Sequence, residues 1–376
     1  MIEVDASDSR YHRQELITWW DQSRLRGANV LVVGAGAIGN EVVKNLAMVG
    51  IGRISIVDMD SIENSNLARC VFFREEHNGM AKSEVLASEA QAINPDVKID
   101  SYVMPVQRLG IGTLRRFDIV IGALDNREAR AWVNQACRKI GKVWIDAAIE
   151  GLRGLVRTFG TQGPCYECTL SDEDYKAMSH RRSCALLAPH EIQGGKTPTN
   201  ATTAGIVAGI QVQEAIKFLV GKSEMMSLLG KVWVYTGDSM STYVTGYQED
   251  PECMAHDLYV EVQDAGSPAT LKELIEIAVT KKGEPAIAVD FEEDLIKVMG
   301  CSKCGGNEFS RLRSSFGLGE GLCGNCGQEL VGGFSSSMEP DDPRASLPLV
   351  EFGFPLSEII TIRFPSERVH YGIQGV

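Results

Sequence analysis

A chain of 376 residues, 44% of them apolar, has room for two or three domains, each around its own buried core. Its formal charge of −13 argues against nucleic acid or an anionic membrane surface as the main partner, because both require a cationic footprint. The longest apolar runs, such as Val30 to Val33 and Ile206 to Ile210, fall far short of the ~20 residues of a membrane span, and the acidic N-terminus is unlike a signal peptide, so the cytosol is the expected compartment.

From Asn29 the pattern alternates. A buried strand at Val30 to Val33 leads through a glycine turn into a helix from about Asn40 to Val49, then a strand at Arg53 to Val57, a helix at Ala81 to Ile93 and a strand near Val97 to Val103. Asp118 to Gly122 and Lys142 to Asp146 read as further buried strands, with a helix at Arg127 to Ile140 between them. The expected architecture is α/β, a doubly wound, mostly parallel Rossmann-like sheet covered on both faces.

After Gln162 comes a polar, proline-containing loop over about 171–200, then an apolar helix from Thr203 to Val220 ended by Gly221. Loops of that length in compact domains usually carry function. Beyond His256 the composition changes to a strand at Leu258 to Gln263, a helix opened by the capping box Thr270 to Glu273, and a strand at Ala286 to Phe291. Residues 257–376 therefore read as a second, β-grasp-like domain with a cysteine-rich insertion at 299–333, behind an α/β domain at 29–256 and an N-terminal segment at 1–28.

Gly34-Ala-Gly36-Ala-Ile-Gly39 follows a strand and opens a helix, and Asp58 ends the next strand 24 residues after Gly34. Glycines there let the backbone approach phosphates, and an acid at that spacing can hold ribose hydroxyls, so the turn reads as nucleotide-binding. A dehydrogenase binding NAD would show the same. It would have no use for the acids, amides and cations further along the chain: Asp58-Met-Asp60-Ser-Ile-Glu-Asn64-Ser-Asn66-Leu-Ala-Arg69, then Gly79-Met-Ala-Lys82, then Ala123-Leu-Asp125-Asn126. Attack of a carboxylate on the α-phosphate of ATP builds charge on phosphoryl oxygens and expels pyrophosphate, which calls for fixed cations and a carboxylate for magnesium. Arg69 and Lys82 can supply the cations and Asp125 the carboxylate. Taken singly, Lys82 and Arg69 could be solvated helix residues, Arg13 a surface ion-pair partner, and Asp125 a helix N-cap.

At these residues, over positions 10 to 256, the chain resembles the activating enzymes for ubiquitin and ubiquitin-like proteins and their bacterial relatives, the ThiF/MoeB-type adenylyltransferases that act on the sulfur carriers of molybdopterin and thiamine synthesis. The resemblance includes Arg10-Tyr-His-Arg13-Gln14, whose last arginine in the family reaches the ATP of the partner subunit, and so implies a homodimer. By the same carry-over Asp58 is the ribose ligand, Asn66, Arg69 and Lys82 contact phosphate and adenylate, and Asp125 holds magnesium. Cys70 departs from the family, which usually has glutamine there.

Seven of the ten cysteines stand in short pairs, which in a long chain points to metal rather than disulfides. Cys165-Tyr-Glu-Cys168 and Cys253-Met-Ala-His256 make one tetrahedral set with zinc as the default ion; the family usually carries four cysteines here. Cys301-Ser-Lys-Cys304-Gly and Cys323-Gly-Asn-Cys326-Gly, eighteen residues apart, read as a structural zinc ribbon. Cys184 lies outside every pair, in the long loop beside Arg181 and Arg182, which would favour its thiolate. In the family the cysteine at this place takes the acyl group as a thioester, or forms a persulfide bond in the thiamine branch. Cys137 reads as core.

The expected activity is ATP- and Mg2+-dependent adenylation of the C-terminal carboxylate of a ubiquitin-fold carrier protein, followed by thioester formation on Cys184 and transfer to a conjugating-enzyme-like protein docked on the C-terminal domain. The tail past Arg368 ends in Gly375-Val376, not in the Gly-Gly of a carrier. Two other readings stand beside this one: an adenylyltransferase for a sulfur carrier in molybdopterin, thiamine or tRNA thiolation without conjugation, and a non-enzymatic half of a heterodimer.

Overall fold

The computed structural model describes residues 9–171, 173–175, 198–312, 315, 322–328 and 330–374. It divides into two compact units: residues up to Val106 with Arg116–Thr169 and Thr197–Asp257 form the first, and Gln107–Arg115, Leu170–Lys196 and Leu258–Val376 the second. Among the described residues, no helix is long and apolar enough to cross a membrane.

The first unit is built on eight strands in the order β3-β2-β1-β4-β5-β6-β7-β8. The strands β1 (Asn29–Val33), β2 (Arg53–Val57), β3 (Lys98–Tyr102), β4 (Ile119–Gly122) and β5 (Trp144–Glu150) run parallel to one another. The runs NVLVV, RISIV and IVIG are buried at every position after the first in β1 and β2 and throughout β4, as continuous apolar strands covered on both faces must be. The helix Ala37–Val49 and the helix Ala201–Leu219, capped by Asn200, pack on each other, and Val42, Leu46, Val207 and Val212 join one core with the strands. Strand order reverses between β1 and β4, and open α/β sheets bind ligands at such a point, beyond the carboxyl ends of the strands.

Beyond the parallel half, the sheet continues as an antiparallel edge. β5 runs on to Glu150, turns at Gly151 (φ 56°) and returns as β6 (Arg153–Phe159); β7 (Lys231–Thr236) and the fully exposed β8 (Ser241–Gly246) follow. β6 escapes a hydropathy reading because Arg157 stands inside it, paired with Asp146 of β5. Asp146 is fully buried, and the side chains of Arg130 and Arg157 beside it are nearly so. Arg130 Nε donates to Asp146 Oδ1 at 3.1 Å, and Arg157 Nε to Asp146 Oδ2 at 3.1 Å. A buried carboxylate held this way tolerates its burial only while its partners remain.

The second unit has β9 (Val262–Asp264), β10 (Ala288–Cys301), β11 (Gly305–Leu312), β12 (Val331–Met338), β13 (Ser357–Arg363) and β14 (Arg368–Gln374) in the order β11-β10-β13-β14-β9, with β12 also on β10. Thr270 Oγ1 accepts from Glu273 N at 3.1 Å as the capping box predicts, although Glu273 Oε2 accepts from Ala269 N and not from the cap residue. The helix Leu271–Lys282 so started buries Leu271, Leu274, Ile275 and Ala278 in one core with residues of β10, β13 and β14. Three sequence expectations are corrected here. The strand expected at Leu258 to Gln263 narrows to β9, and β10 runs ten residues past Phe291, to Cys301. The segment after Arg368 is a paired strand, with Tyr371 and Ile373 in the core, while Gly375 and Val376 lie outside the described residues.

The second unit also takes in Gln107–Arg115, the segment between β3 and β4. A Cβ on Gly110 (φ 74°) would stand 2.0 Å from the Ser357 carbonyl oxygen, and Leu356 N donates to Arg108 O at 3.2 Å. Ile111 N and Ile359 N both donate to Glu358 Oε1, at 3.4 and 2.8 Å. Burial pushes the Glu358 carboxyl from 4.5 up to about 8, against those two amides and with help from Glu292 and Glu293. Folded Glu358 thus keeps a proton that the unfolded chain gives up, so stability contributed by this site falls as pH rises from about 4.5 to about 8. Hydrogen exchange of β13 in the full chain, corrected for intrinsic rates, is expected to show this slope, and Glu358→Gln to flatten it.

Candidate active site

Gly34 (φ 103°) turns the chain out of β1, and Gly36 is the N-cap of the helix Ala37–Val49. The three glycines of the turn serve different ends. A Cβ on Gly34 would come within 2.4 Å of Ala123 O, and one on Gly39 within 2.0 Å of Gly34 O, whereas around Gly36 there is open space. Gly34 and Gly39 are therefore demanded by packing, and Gly36 is where a ligand can approach the helix N-terminus. Asn40 is fully buried; its Nδ2 donates to Ala35 O and Gly36 O at 2.9 and 3.1 Å, and its Oδ1 accepts from Phe72 N at 3.2 Å. It locks the glycine turn to the segment that carries Arg69, a role invisible in the sequence although the residue directly follows Gly39.

Asp58, just past the end of β2, accepts from Ala35 N (2.6 Å) and Asp60 N (2.7 Å) through its two oxygens, which fixes the carboxylate beside the turn. Burial raises its pKa, offset in part by these amides and by Lys82. Lys82 opens the helix Lys82–Ile93, and its Nζ stands 2.8 Å from Asp60 Oδ2 with the side chain only 13% exposed. It is no solvated surface lysine. Burial alone would pull its pKa down, but the bond to Asp60 and the fields of Asp58, Asp60 and Asp125 outweigh it and hold the ammonium above its ordinary value. Asp60 is thus a second acid of the site, one whose role the motif alone does not reveal.

Asn66 is buried, with Oδ1 accepting from Glu63 N at 2.9 Å in the short turn Asn64–Asn66, and Arg69 is half-buried just beyond. Cys70 is buried in the same core as Val43 and Phe72, and burial pushes its thiol up to about 11, against the fields of Arg69 and Lys82. It packs as a core residue. Asp125 is exposed, and the cap of the helix Arg127–Lys139 is its neighbour Asn126, whose Oδ1 accepts from Ala129 N at 2.7 Å; Asp125 has no capping duty. Arg13 lies two residues after Tyr11, which is buried under Arg26, fills the space at Gly50 and takes a 2.7 Å bond from Asn94 Nδ2. Cys184, Arg181, Arg182 and most of the 171–200 loop lie outside the described residues.

Both metal sets converge. Cys165, Cys168, Cys253 and His256 bring their ligand atoms within 4.8 Å of one another, as do Cys301, Cys304, Cys323 and Cys326. Cys165 Sγ lies 3.7 Å from the sulfurs of Cys168 and Cys253, far too long for a disulfide and close to the ~3.8 Å edge of a tetrahedron with ~2.3 Å metal–sulfur bonds. Cys168 Sγ is 3.2 Å from His256 Nε2, whose other ring nitrogen faces Glu249 Oε1 at 3.5 Å, the carboxylate–histidine arrangement common behind metal ligands. Asn134 Nδ2, Cys165 N and Asp250 N donate to the sulfurs, which suits thiolates. In the second set, Gly305 (φ 90°) and Gly327 (φ 69°) directly follow the second cysteine of each pair and let the backbone curl around it. The donor sets and spacing fit zinc.

A family model described as ThiF matches residues 10–255. The chain belongs to the ThiF family. A SAMP-activating enzyme E1 of Haloferax volcanii is 31% identical over 239 residues, 62% of this chain and 81% of that one. A sulfur carrier protein adenylyltransferase of Thermus thermophilus is 32% identical over 260 residues, 65% and 89%. A ubiquitin-like modifier-activating enzyme 5 of Dictyostelium discoideum is 30% identical over 55% of this chain and 56% of its own. Among solved structures, E. coli MccB with ATP superimposes with a TM-score of 0.56 at 25% identity, over 67% of this chain and 75% of that chain. MccB with N-formylated MccA gives 0.55 at 26% identity, over 66% and 75%. In this ThiF-family chain, Gly39→Ala is expected to cost about 1 to 3 kcal/mol of stability in a denaturant titration. Gly36→Ala should leave stability near wild type while weakening nucleotide binding. Zinc analysis of the purified chain is expected to find both sets filled, with Cys253→Ser and Cys304→Ser each emptying one independently of the other.

Proposed function

We propose that the chain adenylates the C-terminal carboxylate of a ubiquitin-fold carrier protein with Mg-ATP. What carries the reading is the grouping of Lys82, Asp58, Asp60 and Asp125 around the glycine turn, where the ammonium feels all three carboxylates. ThiF-family membership and the names of the relatives point the same way. The ribose sits against Asp58 and the phosphates against the helix N-terminus at Gly36. Lys82, Arg69 and Asn66 hold the phosphoryl oxygens as charge develops on them, and Asp125 holds magnesium, which screens the phosphates and helps pyrophosphate to leave. The Lys82–Asp60 pair, half open to water on the acid's side, is worth at most about 1 kcal/mol, so a triphosphate can take the lysine over.

Arg13 is donated across a homodimer to the partner's ATP. The Cys184 thiolate then attacks the acyl adenylate, the acyl–phosphate bond breaks and AMP leaves, and the thioester passes to a thiol of a conjugating-enzyme-like protein recruited by the second unit, whose strand, capped helix and strand order and four-cysteine set support a β-grasp-like domain with a zinc ribbon. A sulfur-carrier adenylyltransferase that stops at the acyl adenylate is the second reading, and the Thermus thermophilus relative favours it.

Pyrophosphate release with a panel of ubiquitin-fold carriers ending in Gly-Gly tests the proposal. At least one carrier is expected to trigger release, Lys82→Ala to lower it on the order of 100-fold or more, and an Arg13→Ala and Lys82→Ala mixture to regain activity that neither variant has alone. Intact-mass analysis of the same mixture separates the branches: a thiol-sensitive adduct lost in Cys184→Ala marks the thioester route, and release without adduct marks the sulfur-carrier route. Release that needs no carrier at all would sink the proposal.

A further inference from the structure

Three polar residues lie four apart on one face of the helix Arg127–Lys139, and all three are buried: Arg130, Asn134 and Arg138. Residues spaced by four share a helix face, and buried polar groups need partners. Their partners fall into two groups. Arg130 Nη2 donates to Leu124 O and, at 3.0 Å, to Ala147 O, while its Nε bonds Asp146. Asn126, the residue after Asp125, caps the same helix. Asp125 is thus bracketed by two residues tied to one helix, Leu124 through Arg130 and Asn126 through its own side chain.

The other two residues grip the first cysteine–histidine set. Asn134 Oδ1 accepts from Tyr166 N at 2.9 Å, and its Nδ2 donates to Cys165 Sγ at 3.4 Å and to Glu167 Oε1 at 3.3 Å. Arg138 Nη1 donates to Gly160 O at 3.3 Å, and its Nη2 lies 3.8 Å from Glu249, the carboxylate behind His256. One helix, about 18 Å from Asn126 to Arg138 at 1.5 Å per residue, therefore carries the candidate magnesium carboxylate at one end and holds both halves of the cysteine–histidine set along the rest.

We propose that the cysteine–histidine set positions Asp125: by fixing Asn134 and Arg138 it sets the seat of this helix, and the helix sets the Asp125 carboxylate against the nucleotide. The set is then more than a staple for the ends of the unit. Asn134 and Glu249 are positioning residues that never touch the nucleotide. The inference rests on the assignment of Asp125 to magnesium.

The test reads two quantities on the full-length, metal-loaded protein without any carrier: the rate at which a chelator strips metal from the Cys253→Ala-sensitive site, and the Mg2+ dependence of ATP binding by calorimetry. Asn134→Leu, which keeps the shape but not the bonds, and the milder Glu249→Gln are expected to speed metal loss by about 10-fold or more and, in the same order, to raise the Mg2+ needed for ATP binding. Asp125→Asn should raise the Mg2+ requirement and leave metal loss unchanged. Faster metal loss with an unaltered Mg2+ requirement in both variants overturns the coupling, as does unaltered metal loss in both. Should Asn134→Leu fail to fold, Glu249→Gln alone decides. Wild-type protein that binds no ATP would instead remove the functional reading itself, a different failure.

Discussion

The backbone at Gly39 passes so close to the Gly34 carbonyl that a Cβ would stand 2.0 Å from it, and Gly34 in turn abuts Ala123 at the end of β4. That double close approach sets the spacing of β1, the helix after it and β4, and with it the distance between the glycine turn and Asp125. Everything else in the site hangs from the same point. Asp58 bonds the Ala35 amide inside the turn, and Asn40 bonds the carbonyls of Ala35 and Gly36 and the amide of Phe72. The reversal of strand order beside β1 leaves the carboxyl ends of the strands open where these groups converge.

Electrostatics then divides the work. Three carboxylates around one lysine would be an odd arrangement for stability alone, since exposed pairs contribute little and the excess negative charge repels itself. On the proposed reading it keeps a cation charged inside a partly buried cradle until phosphates arrive. Asp60 keeps Lys82 extended toward the site, and Asp125, exposed and without a capping task, stays available to a divalent ion. A neutral cradle would have to charge a buried lysine at the moment of binding, at a desolvation cost this arrangement avoids.

The parallel half of the sheet and the glycine turn between strand and helix were legible in the sequence because each rests on a short local pattern: an apolar run, or glycines at fixed spacing; the acids and cations of the candidate site were picked out by the same kind of pattern, a charge at a strand end, and their roles stand as proposals. Both metal sets were legible for the same reason. What escaped was set by partners remote in sequence. β6 hid its strand character behind Arg157, which answers Asp146 in the preceding strand, and β14 looked like a tail because its pairing with β13 and β9 depends on tertiary context. Asn134 and Arg138 carry no local signal, since their partners Cys165 and Glu249 come to them only in the fold. Gln107–Arg115 could not be assigned to the second unit from local pattern, since only the glycines at 110 and 112 hint at its close packing on Ser357.

The central claim is that the turn at Gly34 to Gly39 binds the phosphates of ATP with magnesium, not a dinucleotide. Titration of the purified chain with ATP and with NAD, each with and without Mg2+, tests it most directly. The account predicts one ATP bound per chain, strengthened by Mg2+ and weakened by Asp125→Asn, and no NAD binding. Tight NAD binding indifferent to Mg2+ would contradict it.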